Sequence, residues 1–83
     1  MNTILIILLK ENVSATNLDK FFSFIDPFIE KQGFQLINSN PKIYINNANI
    51  SDANIRSLIT KIKGQNNYNQ IVKSSHFGKL NKL

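Results

Sequence analysis

Thr3-Ile4-Leu5-Ile6-Ile7-Leu8-Leu9 is apolar in both of its alternating registers, with Leu5, Ile7 and Leu9 in one and Ile4, Ile6 and Leu8 in the other. Seven residues with three isoleucines is strand length and strand chemistry. Apolar residues on both faces predict a central strand covered on two sides. The run is about a third of what a membrane-spanning helix needs. A secretory signal places positive charge before its apolar run and small residues after it. Here Met1-Asn2 precede and Lys10-Glu11 follow, so the segment reads as a core strand of a cytoplasmic protein.

Working outward, Glu11 to Ala15 reads as an exit loop. Thr16 is the expected N-cap of a first helix, with Asp19 in a position favoured near the helix N-terminus. Leu18, Phe21, Phe22, Ile25, Phe28 and Ile29 recur at spacings of three and four, giving one apolar stripe to about Gln32. Pro27 lacks an N–H and crowds the carbonyl of Ser23, so a kink or a break and restart is expected there. Gly33 suits a left-handed residue at the end of the helix.

Phe34 to Ile37 and Lys42 to Ile45 read as a hairpin about the turn Asn38-Ser39-Asn40-Pro41. Asn46 to Asn49 leads into a second helix. Ser51 is its N-cap, Asp52 lies in its first turn, and Ile50 and Ile55 have the spacing of a hydrophobic staple. Ile55, Leu58, Ile59 and Ile62 are its buried face, and Gly64 ends it. A polar loop, Gln65 to Asn69, precedes a last strand from Gln70 to Ser74. The chain is expected to be one domain, 1–83, with a basic tail over 76–83.

The order strand, helix, strand, strand, helix, strand predicts an α+β, ferredoxin-like βαββαβ fold. Its antiparallel four-stranded sheet would carry both helices on one face, with the first and third strands central. Two helices cover one face, yet the first strand is apolar on both. Tyr44, Ile37 and Val72 are expected to join that second face, depending on pleat. A patch of this kind predicts a homodimer stacked through the open sheet face; a C-terminal tail folded over the face would be the alternative.

Composition narrows the chemistry. The 83 residues contain no cysteine and one histidine, His76, so disulfides, thiolate zinc sites and multi-histidine metal sites within one chain are excluded. No cofactor is expected. Glycine occurs only at 33, 64 and 78, which excludes a glycine-rich phosphate loop. Ser74 and Ser75 adjoin His76, a weak arrangement for nucleophilic catalysis. Asp19, Asp26 and Glu30 on the first helix read as a solvated surface rather than a metal site.

The net charge is +5, and all five acids lie at or before Asp52. Beyond it stand Arg56, Lys61, Lys63, Lys73, Lys79 and Lys82 with no acid. Codon bias toward asparagine, isoleucine and lysine supplies lysines, but it does not explain why acids stop at Asp52. A one-signed segment predicts a polyanionic partner: nucleic acid, an acidic protein or an anionic surface. Tyr68 and Phe77 are candidates for stacking on bases, with Phe77 read first as a packing anchor for the tail.

From residue 36 onward the chain resembles a known group. The stretch comprises Leu36-x-x-Ser39, the strand Ile43-Tyr44-Ile45, the run Ile50-Ser51-x-Ala53-x-Ile55-Arg56-x-x-Ile59, then Asn69 to Lys73 and Gly78-Lys79-Leu80. It is similar to the small ferredoxin-like proteins of CRISPR adaptation, the VapD toxins of toxin–antitoxin systems and short SinR-like relatives. The resemblance implies a ferredoxin-like fold, a homodimer stacked through its sheets, and association with nucleic acid. Nuclease members carry an aspartate at the end of the first strand. This chain has Leu9 there, with Lys10-Glu11 beyond it, so the resemblance does not extend to metal-dependent cleavage.

The expected function is therefore a non-catalytic dimeric module. It would bind nucleic acid or a nucleoprotein complex through Arg56, Lys61, Lys63, Lys73 and Lys79. Two alternatives stay open. One is a degenerate ribonuclease toxin of VapD type, using His76 or Glu11. The other is a small inhibitor or antitoxin-like protein, phage- or plasmid-borne, that blocks a partner's surface.

Overall fold

A computed structural model describes residues 2–48 and 50–80 of the chain. Met1, Asn49 and residues 81–83, which include the basic residue Lys82, lie outside the described residues. The element order is β1 (Asn2–Leu9), α1 (Ala15–Lys31), β2 (Gln35–Ser39), β3 (Lys42–Asn46), α2 (Asp52–Lys63), α3 (Tyr68–Ile71) and β4 (Val72–Leu80). The strands form one antiparallel sheet in the order β2-β3-β1-β4, which leaves β1 and β3 in the middle. No described helix is long and apolar enough to cross a membrane.

The pleat sorts β1 into two registers. Thr3, Leu5 and Ile7 are buried, and Leu5 and Ile7 join one cluster with Phe21, Phe22, Ile25 and Ile29 of α1 and Leu58 and Ile62 of α2. Tyr44 of β3 lies opposite Leu5 and enters the same cluster, as does Val72. Each such aliphatic side chain contributes about 1.5–3 kcal/mol through burial. Ile4, Ile6 and Leu8 take the other register. With Ile43 and Ile45 beside them, they form a half-buried aliphatic strip on the opposite face. Tyr44 and Val72 are thus not members of that second face. Ile37 is left out of the strand alternation: the register slips between Leu36 and Asn38, and the side chain is 57% exposed.

Local signals place the helices. Ser14, rather than Thr16, caps α1, accepting a 3.1 Å hydrogen bond from the Asn17 N–H. Helix α1 runs through Pro27 with no break and restart. Gly33 takes φ 95°, where a Cβ would meet the Asn46 amide at 3.2 Å, so both conformation and space favour glycine. Ser51 caps α2, accepting from the Asn54 N–H at 3.2 Å. The polar loop after Gly64 closes into the short helix α3. The Ile71 carbonyl there accepts the Lys10 N–H at 2.8 Å, and the Asn69 carbonyl accepts from the Lys10 ammonium. The stretch His76 to Leu80 is strand rather than tail. It continues β4, with His76 opposite Ile6, Phe77 opposite Leu5 and Lys79 opposite Thr3.

Candidate nucleic-acid interface

The helix surface away from the core carries a basic groove. Arg56, Ser57, Thr60, Lys61, Gly64 and Gln65 line a shallow depression along α2. Lys61 and Ser57 are shared with a second depression, where they meet Phe28 and Lys31 of α1 and Gln32 at its C-cap. Gln65 is shared with a third, lined by Lys20, Phe21, Phe24, Asn66 and Asn67. The three adjoin through these shared residues, and none has an acid in its lining.

The spacing on α1 explains why cations and aromatics meet there. At about 100° per residue, Lys20, Phe24, Phe28 and Lys31 fall within roughly 80° of one another. Asp19, Asp26 and Glu30 fall roughly 120° or more from Phe24. Asp26 is turned toward the sheet, where its Oδ1 accepts a 2.7 Å hydrogen bond from the Tyr44 phenol. Burial, with the Asp26 carboxylate adding to it, pushes the Tyr44 phenol well above its ordinary pKa. The acids of α1 are thus drawn to one side and the lysines left on the other.

Phe24 is 66% exposed and Phe28 38%. The apolar periodicity assigns Phe28 to the core, but its ring lies at the rim, with the Lys61 ammonium 4.5 Å from its centroid. Such a cation–π contact is worth about 0.5–1 kcal/mol at an exposed site. Gln65 Nε2 donates to the Lys61 carbonyl at 3.1 Å, which holds an amide over the end of α2.

The five basic residues singled out by charge do not form one patch. Arg56 and Lys61 line the groove. Lys63 is exposed at the last turn of α2, two turns from Arg56. Lys73 is the extra residue where β4 slips register against Leu8 and Leu9, and it does not line the groove. Lys79 pairs with Asp52 at 3.7 Å, so its charge is met by the last acid of the chain. Both side chains are well exposed and the pair adds little stability. Lys20 and Lys31 were not singled out by the charge asymmetry because acids share their segment. Their signal is the helical pattern Lys20-x-x-x-Phe24-x-x-x-Phe28-x-x-Lys31.

Tyr68 has a structural duty instead of a stacking one, and Phe77 is a packing residue. Tyr68 packs on Phe21 at a centroid distance of 6.5 Å, and its Oη lies 2.9 Å from Ser75 Oγ. Phe77 packs edge-on to Phe34 at 6.2 Å.

Two other clusters carry polar chemistry. On β4, Ser74 Oγ lies 3.0 Å from His76 Nε2, since residues two apart share a face of the strand. At the end of β1, a cleft of about 620 Å³ brings Glu11 and Asp19 together with Lys10 and Lys42. The Lys42 ammonium sits 4.5 Å over the Phe22 ring. Among the described residues, no three His, Asp or Glu side chains come close enough to hold a metal ion.

No protein-family model matches the chain, and no curated protein matches it.

Proposed function

We propose that this protein is a nucleic-acid-binding module whose contact surface is the groove between α1 and α2. The observation that carries the reading is the acid-free lining shared by Lys20, Lys31, Arg56 and Lys61. Four cations around an open groove suit a string of phosphates, which supply affinity without sequence reading. Lys63 extends the surface along α2, while Lys73 and Lys79 lie off it. The module is non-catalytic in this reading.

The fold we assign is ferredoxin-like, with α1 and α2 on one sheet face. Support comes from the central placement of β1 and β3 and from the single core cluster that both helices share with Leu5, Ile7 and Tyr44. The resemblance to the small CRISPR-adaptation, VapD and SinR-like proteins points the same way. The strip of Ile4, Ile6, Leu8, Ile43 and Ile45 is assigned to a second copy of this chain. Four strands about 4.8 Å apart present roughly 350 Å² of plan area. With its corrugation, a stacked pair approaches the ~1,000 Å² that a specific interface needs. The strip bears no charge, so two copies of a +5 chain can meet there without opposing like charges across the contact.

A salt titration tests the binding. Affinity should fall with a log–log slope of about −0.9 per phosphate neutralised on duplex DNA. Arg56→Ala and Lys61→Ala should each reduce the slope by about one unit, and Lys79→Ala should change it less. Absence of binding to any oligonucleotide at low ionic strength rejects the reading. A second reading, a ribonuclease-type activity, is favoured only by the contact between Ser74 and His76. In that case His76 is the acid–base group.

A further inference from the structure

The exposed phenylalanines define which nucleic acid the groove takes. Phe24 is the most exposed large apolar side chain among the described residues, and it stands one helical turn from Phe28 on the same face. Neither belongs to the buried cluster. Both are flanked by cations, Lys20 and Lys31 along α1 and Lys61 across on α2. Gln65, Asn66 and Asn67 close the end near Phe24 with neutral amides. Phosphate contacts alone need lysine and arginine; they give no use to two solvent-facing rings. Duplex DNA hides its base faces inside the stack, whereas an unpaired strand presents them.

We infer that the groove binds a single-stranded nucleic acid, with unpaired bases stacked on Phe24 and Phe28 and phosphates held by Lys20, Lys31, Lys61 and Arg56. This rests on the nucleic-acid reading above and narrows it to a strand class. The Lys61 ammonium lies over one face of the Phe28 ring, 4.5 Å from its centroid, so a phosphate-binding charge covers that face and a base would stack on the other. The side-chain amides of Gln65, Asn66 and Asn67 both donate and accept, so they match base edges or sugar hydroxyls without a demand for one sequence. A lipid surface would also take lysines and phenylalanines, but Phe24 borders the neutral amides of Gln65, Asn66 and Asn67, for which an acyl layer has no use.

The test is fluorescence anisotropy at low salt with four probes. These are a mixed-sequence single strand of about 12 nucleotides, an abasic phosphodiester strand of the same length, the corresponding duplex, and vesicles containing anionic phospholipid. The base-bearing strand should bind at least about fivefold more tightly than the abasic one. Phe24→Ala and Phe28→Ala should each weaken the base-bearing strand by about fivefold to a hundredfold and leave the abasic strand and duplex unchanged. Phe24→Trp should retain binding, which separates stacking from a loss of fold. If the abasic strand binds as tightly as the base-bearing one, or the alanine variants weaken all probes equally, the stacking inference is overturned while the nucleic-acid reading stands. Binding to vesicles but to no oligonucleotide overturns both.

Discussion

The Tyr44 phenol donates a 2.7 Å hydrogen bond to Oδ1 of Asp26, linking the middle of β3 to the middle of α1. It is the contact that draws a carboxylate of α1 toward the sheet, and Tyr44 is almost wholly buried beneath it. Tyr44→Phe should cost about 1–3 kcal/mol, since it removes a partner of a charged acceptor. The pH dependence follows from the raised phenol pKa. In the unfolded chain the phenol ionises at about 10. Above that pH the unfolded state has lost a proton that the folded state retains, so stability falls as pH rises. Urea denaturation from neutral pH to about 11 should show the native protein losing up to about 1.4 kcal/mol per pH unit more than Tyr44→Phe. Equal slopes for the two proteins would contradict the assignment.

The caps separate two readings of the start of α1. Ser14→Ala should destabilise by about 1 kcal/mol, and Thr16→Ala by much less. Ser51→Ala at α2 should match Ser14→Ala. Urea midpoints of the three variants decide it, and a larger loss for Thr16→Ala would move the helix start.

Neighbouring residues of β1 should respond in opposite ways to charge. Ile7→Lys puts an ammonium in the core and should unfold the chain, with loss of the far-ultraviolet helix signal. Ile6→Lys sits on the aliphatic strip and should leave a folded monomer. Sedimentation of the native protein at micromolar concentration should give a mass near twice 9.5 kDa. A native mass of one chain at all concentrations removes the second copy from the strip.

Catalysis has a defined outcome as well. The purified protein should leave RNA and DNA intact with Mg²⁺ or Mn²⁺ present. Glu11 and His76 lie on different structures, one in the cleft at the end of β1 and the other on β4 opposite Ile6. Cleavage abolished by His76→Ala, with fold retained, would establish the ribonuclease reading. Cleavage abolished by Glu11→Gln instead would assign it to the cleft.

Much of the element order was legible because its signals are local. The apolar run of β1, the stripe on α1, the Ser51 cap and the hairpin turn all act within a few residues. The Thr16 cap failed on a local competition, since Ser14 two residues earlier offers the same hydroxyl. Helix α3 and the extension of β4 to Leu80 were not legible. Their residues carry weak periodicity, and their conformation comes from contacts across the fold: Lys10 against Asn69 and Ile71, and β1 against β4. The candidate site was half legible. Arg56 and Lys61 stand out by charge, whereas Phe24 and Lys20 gain meaning only beside the loop that follows α2.

By itself the sequence determined the α+β class, a β1 that is apolar on both faces, and a surplus of positive charge after Asp52, because composition and spacing are properties of the chain alone. Tertiary structure decided where those features went. The pleat put Tyr44 in the core and Ile43 and Ile45 on the opposite strip, since a shift of one residue exchanges every side chain between faces. Pairing of β4 with β1 carried Lys79 to Asp52 and left Lys73 on a bulge, so a run of like charges in sequence became separate sites in space. The packing of α1 beside α2 assembled the remaining cations with Phe24 and Phe28, residues up to 41 positions apart between Lys20 and Lys61, which no local pattern could bring together.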